Sequence, residues 1–303
     1  MKVLITGATG FVGRQIVRQL LEAGDEVVVL TRNVAKGILT LGNGCEFFVW
    51  SDTNRPAPAE AFAGVDGVIN LMGEGIAEKR WSEEQKRRIY DSRIKGTASL
   101  LETMGRLEKR PSVFVSTSAV GIYGNRETEE LTEASATGDD FLARLCKDWE
   151  KEASHAMALG IRLAIIRVGV VLGKNGGALK KMLPIFKFGA GGRVGSGKQV
   201  MSWVHVEDLA AMFVRALKDP SIQGVYNGTA PGPVTNEEFT KVLGKVLRKP
   251  TIAPAPAFAM KLVFGEMSAV LLEGQRVLPA KFQEARFSYR YPGLEAALRD
   301  ATA

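Results

Sequence analysis

Three glycines at a spacing of three, Gly7, Gly10 and Gly13, lie between an apolar run, "KVLIT", and a segment of helical periodicity, "FVGRQIVRQLLEAG". Glycine at such a junction permits a tight turn and lets backbone amides approach a diphosphate, while the free N–H groups of the helix N-terminus face negative charge. A strand before and an amphipathic helix after give the triplet its proper context, so the chemistry expected is dinucleotide binding rather than a plain turn. The end of the second apolar run, "EVVVLTRN", should then select the nucleotide. An acid there would hold the two ribose hydroxyls of NAD. The run ends instead in Thr31, Arg32 and Asn33. A guanidinium at Arg32 suits the extra phosphate of NADP, and a charge-assisted bond of ~1.5–3 kcal/mol gives roughly ten- to hundredfold preference.

Other chemistries are weaker on inspection. "GGRVGSGKQ" sets Gly192, Gly197 and Lys198 at the spacing of a triphosphate loop, but Gln199 stands where a magnesium-binding hydroxyl is required and no β-run feeds the loop. The two histidines, His155 and His205, have no G-x-S-x-G elbow to serve. The two cysteines, Cys45 and Cys146, lack metal-ligand spacing, so no metal site is expected.

The elements that must position these residues alternate along the chain. Apolar β-rich runs "KVLIT", "EVVVLT", "CEFFVW", "GVINLMG", "SVFVSTSA" and "LAIIRVGVVL" are separated by helical stretches, which predicts an α/β fold with a doubly wound parallel sheet. The first helix should run from Gly10 with Val12, Ile16, Leu20 and Leu21 on one face and end at Gly24, before a strand starting at about Glu26. After Gly173 the texture becomes glycine-rich, then proline-rich. Residues 1–173 are therefore read as the nucleotide domain and 174–303 as a smaller α/β substrate lobe, with segments near 200–228 returning to the first domain.

Composition is that of an ordinary globular protein, with 46% hydrophobic and 24% charged residues. The net charge of +7 is spread among acids, as in "EKRWSEEQKRR", which indicates a solvated helix face rather than a nucleic-acid surface. Because "KVLI" is already a strand, no signal peptide is expected and the cytoplasm is the expected compartment. Lys261 and Glu266 interrupt the most apolar late stretch, "FAMKLVFGEMSAVLLEG", so it reads as a buried or amphipathic helix and no membrane partner is expected.

Taken in order, "TGATGFVG", "INLMG", "VSTSAVGIYG" and "WVHVEDLA" resemble the extended short-chain dehydrogenase/reductases, which include the sugar-nucleotide epimerases. The further stretches "GEGIAEKRWSEEQKRRIYDSRIKGT", "LCKDWE", "IRVGVVLGKNGGAL", "GSGKQVMSWVHVEDLA" and "QRVLPAKF" are similar to the atypical branch labelled "epimerase family protein", or nucleoside-diphosphate-sugar epimerase-like, over essentially the whole chain. The resemblance implies a Rossmann fold, the cofactor NADP, a small-molecule substrate with a nucleotide sugar as one candidate, and compatibility with a homodimer. It implies that Gly7, Thr9, Gly10, Phe11 and Val12 hold the pyrophosphate and Arg32 the ribose phosphate. Trp50, Ser51 and Asp52 would lie near the adenine, and Leu71, Met72 and Gly73 along the nicotinamide ribose, with Glu74 just beyond. Ser116 and Ser118 would flank the nicotinamide, Ser118 matching the catalytic serine, and Tyr123 would close that loop.

One part of the family pattern is missing. Ordinary members move a proton through Tyr-x-x-x-Lys, in which the lysine lowers the tyrosine pKa. Four residues after the five tyrosines stand Ile94, Glu127, Ala230, Gly293 and Glu295, so no lysine falls on the spacing. In "GDDFLARLCKDWEKEA", Lys147 would pair with Ala143, and the next register pairs Cys146 with Leu142. Replacement acids are Tyr123, Ser118 acting through water, and Glu74; Arg93 stands either in the cleft or on a helix surface. Two functions stay open: an NADP-dependent oxidoreductase or epimerase with a non-standard site, and a non-catalytic NADP(H)-binding sensor or interaction module.

Overall fold

The computed structural model describes residues 1–174 and 176–303; Asn175, in the glycine-rich stretch, lies outside the described residues. Seven strands form one parallel sheet: β1 (Lys2–Thr6), β2 (Glu26–Thr31), β3 (Cys45–Val49), β4 (Gly67–Asn70), β5 (Val113–Ala119), β6 (Arg162–Val168) and β7 (Gly224–Gly228). Their spatial order is β7-β6-β5-β4-β1-β2-β3, so the winding reverses between β1 and β4. At such a reversal the connections leave in opposite directions and open a crevice beyond the carboxyl ends of the strands. Register levels those ends, since Thr6 is opposite Leu30 and Asn70, and Asn70 is opposite Ser116.

Helices cover both faces, as the two-residue period of β1 requires. Val3 and Ile5 pack under α1 (Phe11–Glu22) and a helix at Val206–Lys218, while Leu4 packs with Leu100 and Met104 of a long helix at Glu83–Arg106. In chain order the helices named are α1, α2 (Val34–Leu41), α3 (Glu83–Arg106), α4 (Phe141–Ala158), α5 (Gly177–Lys187) and α6 (Val206–Lys218). α1 begins after Gly10 and buries Ile16, Val17 and Leu20; Gly24 follows with φ of +77°, and β2 starts at Glu26. The expected run "LAIIRVGVVL" is two strands rather than one. Gly169 breaks it after β6, because a Cβ there would collide with the Ser202 carbonyl, and Val170–Leu172 pairs instead with Trp203–His205.

The remainder builds a smaller layer around Trp203, Phe186, Phe239, Leu243 and Leu298. The late apolar stretch corrects its expectation. It is split: a helix at Ala257–Phe264 buries no residue, with Phe258 74% and Leu262 75% exposed, the chain breaks at Gly265 with φ of +60°, and Met267 and Ser268 are buried before a second short helix at Ala269–Leu272. This break lays the segment against the loop after β4: Gly265 abuts Arg80, Met267 packs with Trp81, and Glu266 pairs with Lys86 at 2.5 Å. Among the described residues no helix is long and apolar enough to cross a membrane.

Candidate functional site

The glycine loop is shaped by close approach. Gly7 has φ of +68°, and a Cβ on it would lie 2.9 Å from the Leu71 carbonyl oxygen. A Cβ on Gly13 would collide with the Gly7 carbonyl and come within 2.7 Å of the Ala8 Cα. The loop is thus pinned between α1 and the end of β4. At the head of α1 no side chain caps the N-terminus and no acid occupies the first turn, which leaves its N–H groups and positive dipole end for an anion. Phe11, the first helical residue, is enclosed by Gly173, Gly176 and Gly177, where any Cβ would strike its ring. The later glycine-rich stretch therefore serves the phosphate loop from behind. The second glycine motif, in contrast, leads into the two-residue strand Val200–Met201, with no helix at its head.

At the end of β2, Thr31 and Asn33 satisfy each other and Asn33 Oδ1 accepts from the Lys36 amide, capping α2. Arg32 is exposed, and among the described residues it has no hydrogen bond or ion pair. Ser51 and Asp52 are exposed at the neighbouring edge, where Asp52 accepts from Asn54 and pairs with Arg55. Trp50 differs: it is 7% exposed, packs with Leu4, Val28 and Leu30, and donates its indole N–H to the Arg55 carbonyl at 3.0 Å. Its ring belongs to the core rather than to an open adenine face.

The centre of the site is held by a buried polar chain. Thr6 Oγ1 donates to Asn70 Oδ1 at 2.7 Å, Asn70 Nδ2 donates to Thr97 Oγ1 at 3.0 Å, and the Trp149 indole donates to the same oxygen at 3.1 Å. This ties β1 and β4 to α3 and α4, and sets the Leu71–Glu74 loop at the strand ends. Met72 packs against Gly96 of α3, Gly73 lies against the Arg93 guanidinium, and the Glu74 amide donates to Ser92 Oγ. On β5, Ser116 and Ser118 share one face by their spacing of two. They are 0% and 1% exposed, and neither hydroxyl has a protein partner among the described residues. Buried hydroxyls are ordinarily satisfied, so this pair at the carboxyl end of β5 is unusual, as are Gln85 Nε2 and Thr240 Oγ1 elsewhere in the fold.

Beside Ser118 stands Cys146, the residue at the lysine position of the second register. Burial pushes its thiol up to about 11, with Glu150 adding to the effect, while the Ala119 backbone, Arg93 and Ser118 oppose it. Cys146 and Trp149 occupy the α4 face turned to the site, so the register that pairs Cys146 with Leu142 is the one presented there. Leu142 packs with Trp81, Ile89 and Leu145. Arg93 resolves in favour of the cleft side of α3: its guanidinium lies 5.1 Å from the Trp149 ring, and burial pulls its pKa below the ordinary arginine value. The spacing Ile89, Arg93, Thr97 was the available signal, since residues four apart share a helix face.

Tyr123, the other catalytic candidate, has its hydroxyl engaged within the protein. Its phenol is 0% exposed, donates to Asn227 Oδ1 at 2.8 Å and accepts from Arg167 at 2.9 Å. Arg167 in turn meets both carboxylate oxygens of Glu150 at 2.8 Å. Burial raises the Tyr123 pKa, so the phenol keeps its proton, and that proton is engaged by Asn227. His205 is likewise structural: it caps α6 through Nδ1 and stacks 4.0 Å from Tyr291. Asp208 accepts from the Arg290 and Tyr291 amides, tying the C-terminal segment to α6. Trp203 is 1% exposed, and Gln199 is held by the Val194 and Leu271 carbonyls.

Comparison with known proteins gives the family and the fold. The pattern of the NAD dependent epimerase/dehydratase family matches residues 3–227, and a domain of unknown function, DUF1731, matches residues 255–301. The chloroplastic SDR39U1 homolog of the epimerase family from Arabidopsis thaliana is 43% identical over 307 residues, spanning 99% of this chain and 86% of its own. Epimerase family protein YfhF of Bacillus subtilis is 38% identical and spans 98% of this chain and 97% of its own. The crystal structure of human epimerase family protein SDR39U1 with NADPH superposes with a TM-score of 0.87 at 33% identity, covering 99% of both chains.

Proposed function

Because the chain belongs to the NAD dependent epimerase/dehydratase family, we propose that it is an NADP(H)-dependent oxidoreductase or epimerase with a non-standard active site, acting on a phosphate-bearing small molecule such as a nucleotide sugar. The observation that carries this reading is the pair of buried, unpartnered hydroxyls, Ser116 and Ser118, beside the glycine loop. The rest of the site fits the dinucleotide. Gly7 and Gly13 leave a cradle that a Cβ would fill, α1 presents uncapped N–H groups, and Arg32 is free of protein acids among the described residues. That a relative was crystallised with NADPH supports the same choice.

When bound, NADPH supplies a hydride to a carbon, or NADP accepts one. The chain's part is to bind and orient. Gly7, Thr9, Gly10, Phe11, Val12 and Gly13 cradle the pyrophosphate, Arg32 holds the ribose phosphate with Thr31 and Asn33 fixing its turn, and Ser51 and Asp52 flank the adenine. Leu71, Met72, Gly73, Glu74 and Ser116 border the nicotinamide side. Ser118 donates its hydroxyl proton in a hydrogen bond to the substrate oxygen at the reacting carbon. The Cys146 thiol, pushed up to about 11, stays protonated near neutral pH and acts neither as nucleophile nor as base.

Leu142 and Cys146, standing where a phenol and an ammonium are usual, favour a second reading: a non-catalytic NADP(H)-binding sensor or interaction module. Turnover decides between them. In a panel of carbonyl compounds and nucleotide sugars, the first reading expects a substrate whose kcat/KM falls about 100-fold in Ser118→Ala, the scale of one lost transition-state donor. No turnover across the panel, together with a tenfold or larger affinity gap between NADP and NADPH, about 1.4 kcal/mol, would establish the sensor instead.

A further inference from the structure

We propose that Arg93 anchors a carboxylate of the substrate, so that the reaction assigned to Ser118 acts on an acid whose carboxylate lies close to the reacting carbon. This rests on the reading of the site just given and names its substrate class. Arg93 shares a face of α3 with Ile89 and Thr97, and Thr97 is bound to Asn70 and Trp149 at the strand ends, so that face looks onto the site. The guanidinium lies beside the Trp149 ring and against the Gly73 backbone, where a Cβ would come within 2.8 Å of Cζ, 2.9 Å of Nη2 and 3.1 Å of Nε. Nη1 donates to the Ile89 carbonyl at 2.9 Å. Among the described residues, Nε and Nη2 have no protein acceptor and no carboxylate stands within ion-pair distance of Arg93.

Arg167 and Arg162 are treated differently. Arg167 has both oxygens of Glu150 and the Tyr123 hydroxyl, and Arg162 has the carbonyls of Ala216, Leu217 and Ile222. Arg93 is half-buried and its Nε and Nη2 are not among the buried polar atoms without a partner, so this edge is open to solvent and a ligand can take the solvent's place. The open Nε–Nη2 edge is a planar fork that matches the two oxygens of a carboxylate. Glu74 lies near enough to act on Arg93 by charge, which favours a carboxylate monoanion there over a phosphate dianion. The phosphates of the dinucleotide have their own places at the glycine loop and Arg32.

The test uses NADPH-loaded protein titrated with pairs that differ by a carboxylate: glucuronate and glucose, UDP-glucuronate and UDP-glucose, lactate and propane-1,2-diol, with inorganic phosphate as a further arm. At least one acid should bind about tenfold or more tightly than its neutral partner. Arg93→Met should erase that preference while the neutral partner and NADPH stay within about threefold, and Arg93→Lys, which keeps charge without the fork, should fall between. Equal binding in every pair, a preference that survives Arg93→Met, or phosphate competing as well as the acids would overturn the proposal. So would loss of NADPH binding in both variants, which would make Arg93 a support of the fold. Failure of the wild type to bind NADPH removes the reading of the whole site, whereas intact NADPH binding without an acid preference removes this inference alone.

Discussion

Tyr123 and Ser118 sit five residues apart in one motif yet have opposite fates. Ser118 keeps a buried hydroxyl beside the Cys146 thiol, whereas the Tyr123 phenol is taken by Asn227 and Arg167. Tyr123→Phe should therefore lower stability by about 1–3 kcal/mol, because it strands a buried amide and a guanidinium N–H, while NADPH affinity stays unchanged. Denaturant melts and a cofactor titration on the same sample read both quantities; a large loss of cofactor affinity would return Tyr123 to the site. The glycine triplet was legible in sequence because its demand is local: positive φ at Gly7 and close approach at Gly13 are backbone requirements that only glycine meets. Tyr123 and Cys146 were not legible, since their roles depend on where a short 3₁₀ turn and a helix face point after packing.

The α3 and α4 helices do the positioning, and their anchor is the Glu150–Arg167 pair joining α4 to β6. Both side chains are secluded, at 12% and 7% exposure, and the pair holds the guanidinium pKa above its ordinary value. Glu150→Ala should cost about 3–5 kcal/mol, because it leaves an unpaired buried cation, and it should shift the melting temperature far more than the surface exchange Glu84→Ala on α3. Similar shifts for the two variants would contradict the anchor. At this scale the alternation of β-runs and helices made the parallel sheet readable, and the end of α1 and start of β2 fell where Gly24 and Glu26 indicated. The helix at Ala257–Phe264 was misjudged because apolar content reports how much surface an element could bury, not whether a partner layer covers it. Gly169 was invisible for a related reason: the crowding that breaks the run comes from Ser202, distant in sequence.

Across the whole molecule, the C-terminal segment is fastened to the nucleotide half through α6, where Asp208 holds the 290–291 backbone and His205 lies 3.1 Å from Asp300. Burial holds the His205 pKa below 6.5, against the pull of Asp300, Asp208 and Glu207. The unfolded chain then takes up the proton first, so this contribution is fully present above about pH 6.5 and is lost as pH falls through the folded-state value. The melting temperature should drop between pH 7.5 and 5.5, and His205→Gln should flatten that drop; the variant also separates the effect from Asp208, whose raised carboxyl pKa works in the opposite sense. An unchanged slope in the variant would rule the histidine out. The proposed dinucleotide cradle is tested most directly by calorimetric titration of nucleotide-stripped wild type and Arg32→Ala with NADPH, NADP, NADH and NAD. The NADP forms should bind about ten- to hundredfold more tightly than the NAD forms, and Arg32→Ala should remove the difference without weakening the NAD forms. Equal binding of NADH and NADPH by the wild type, or no binding of any of the four, would contradict it.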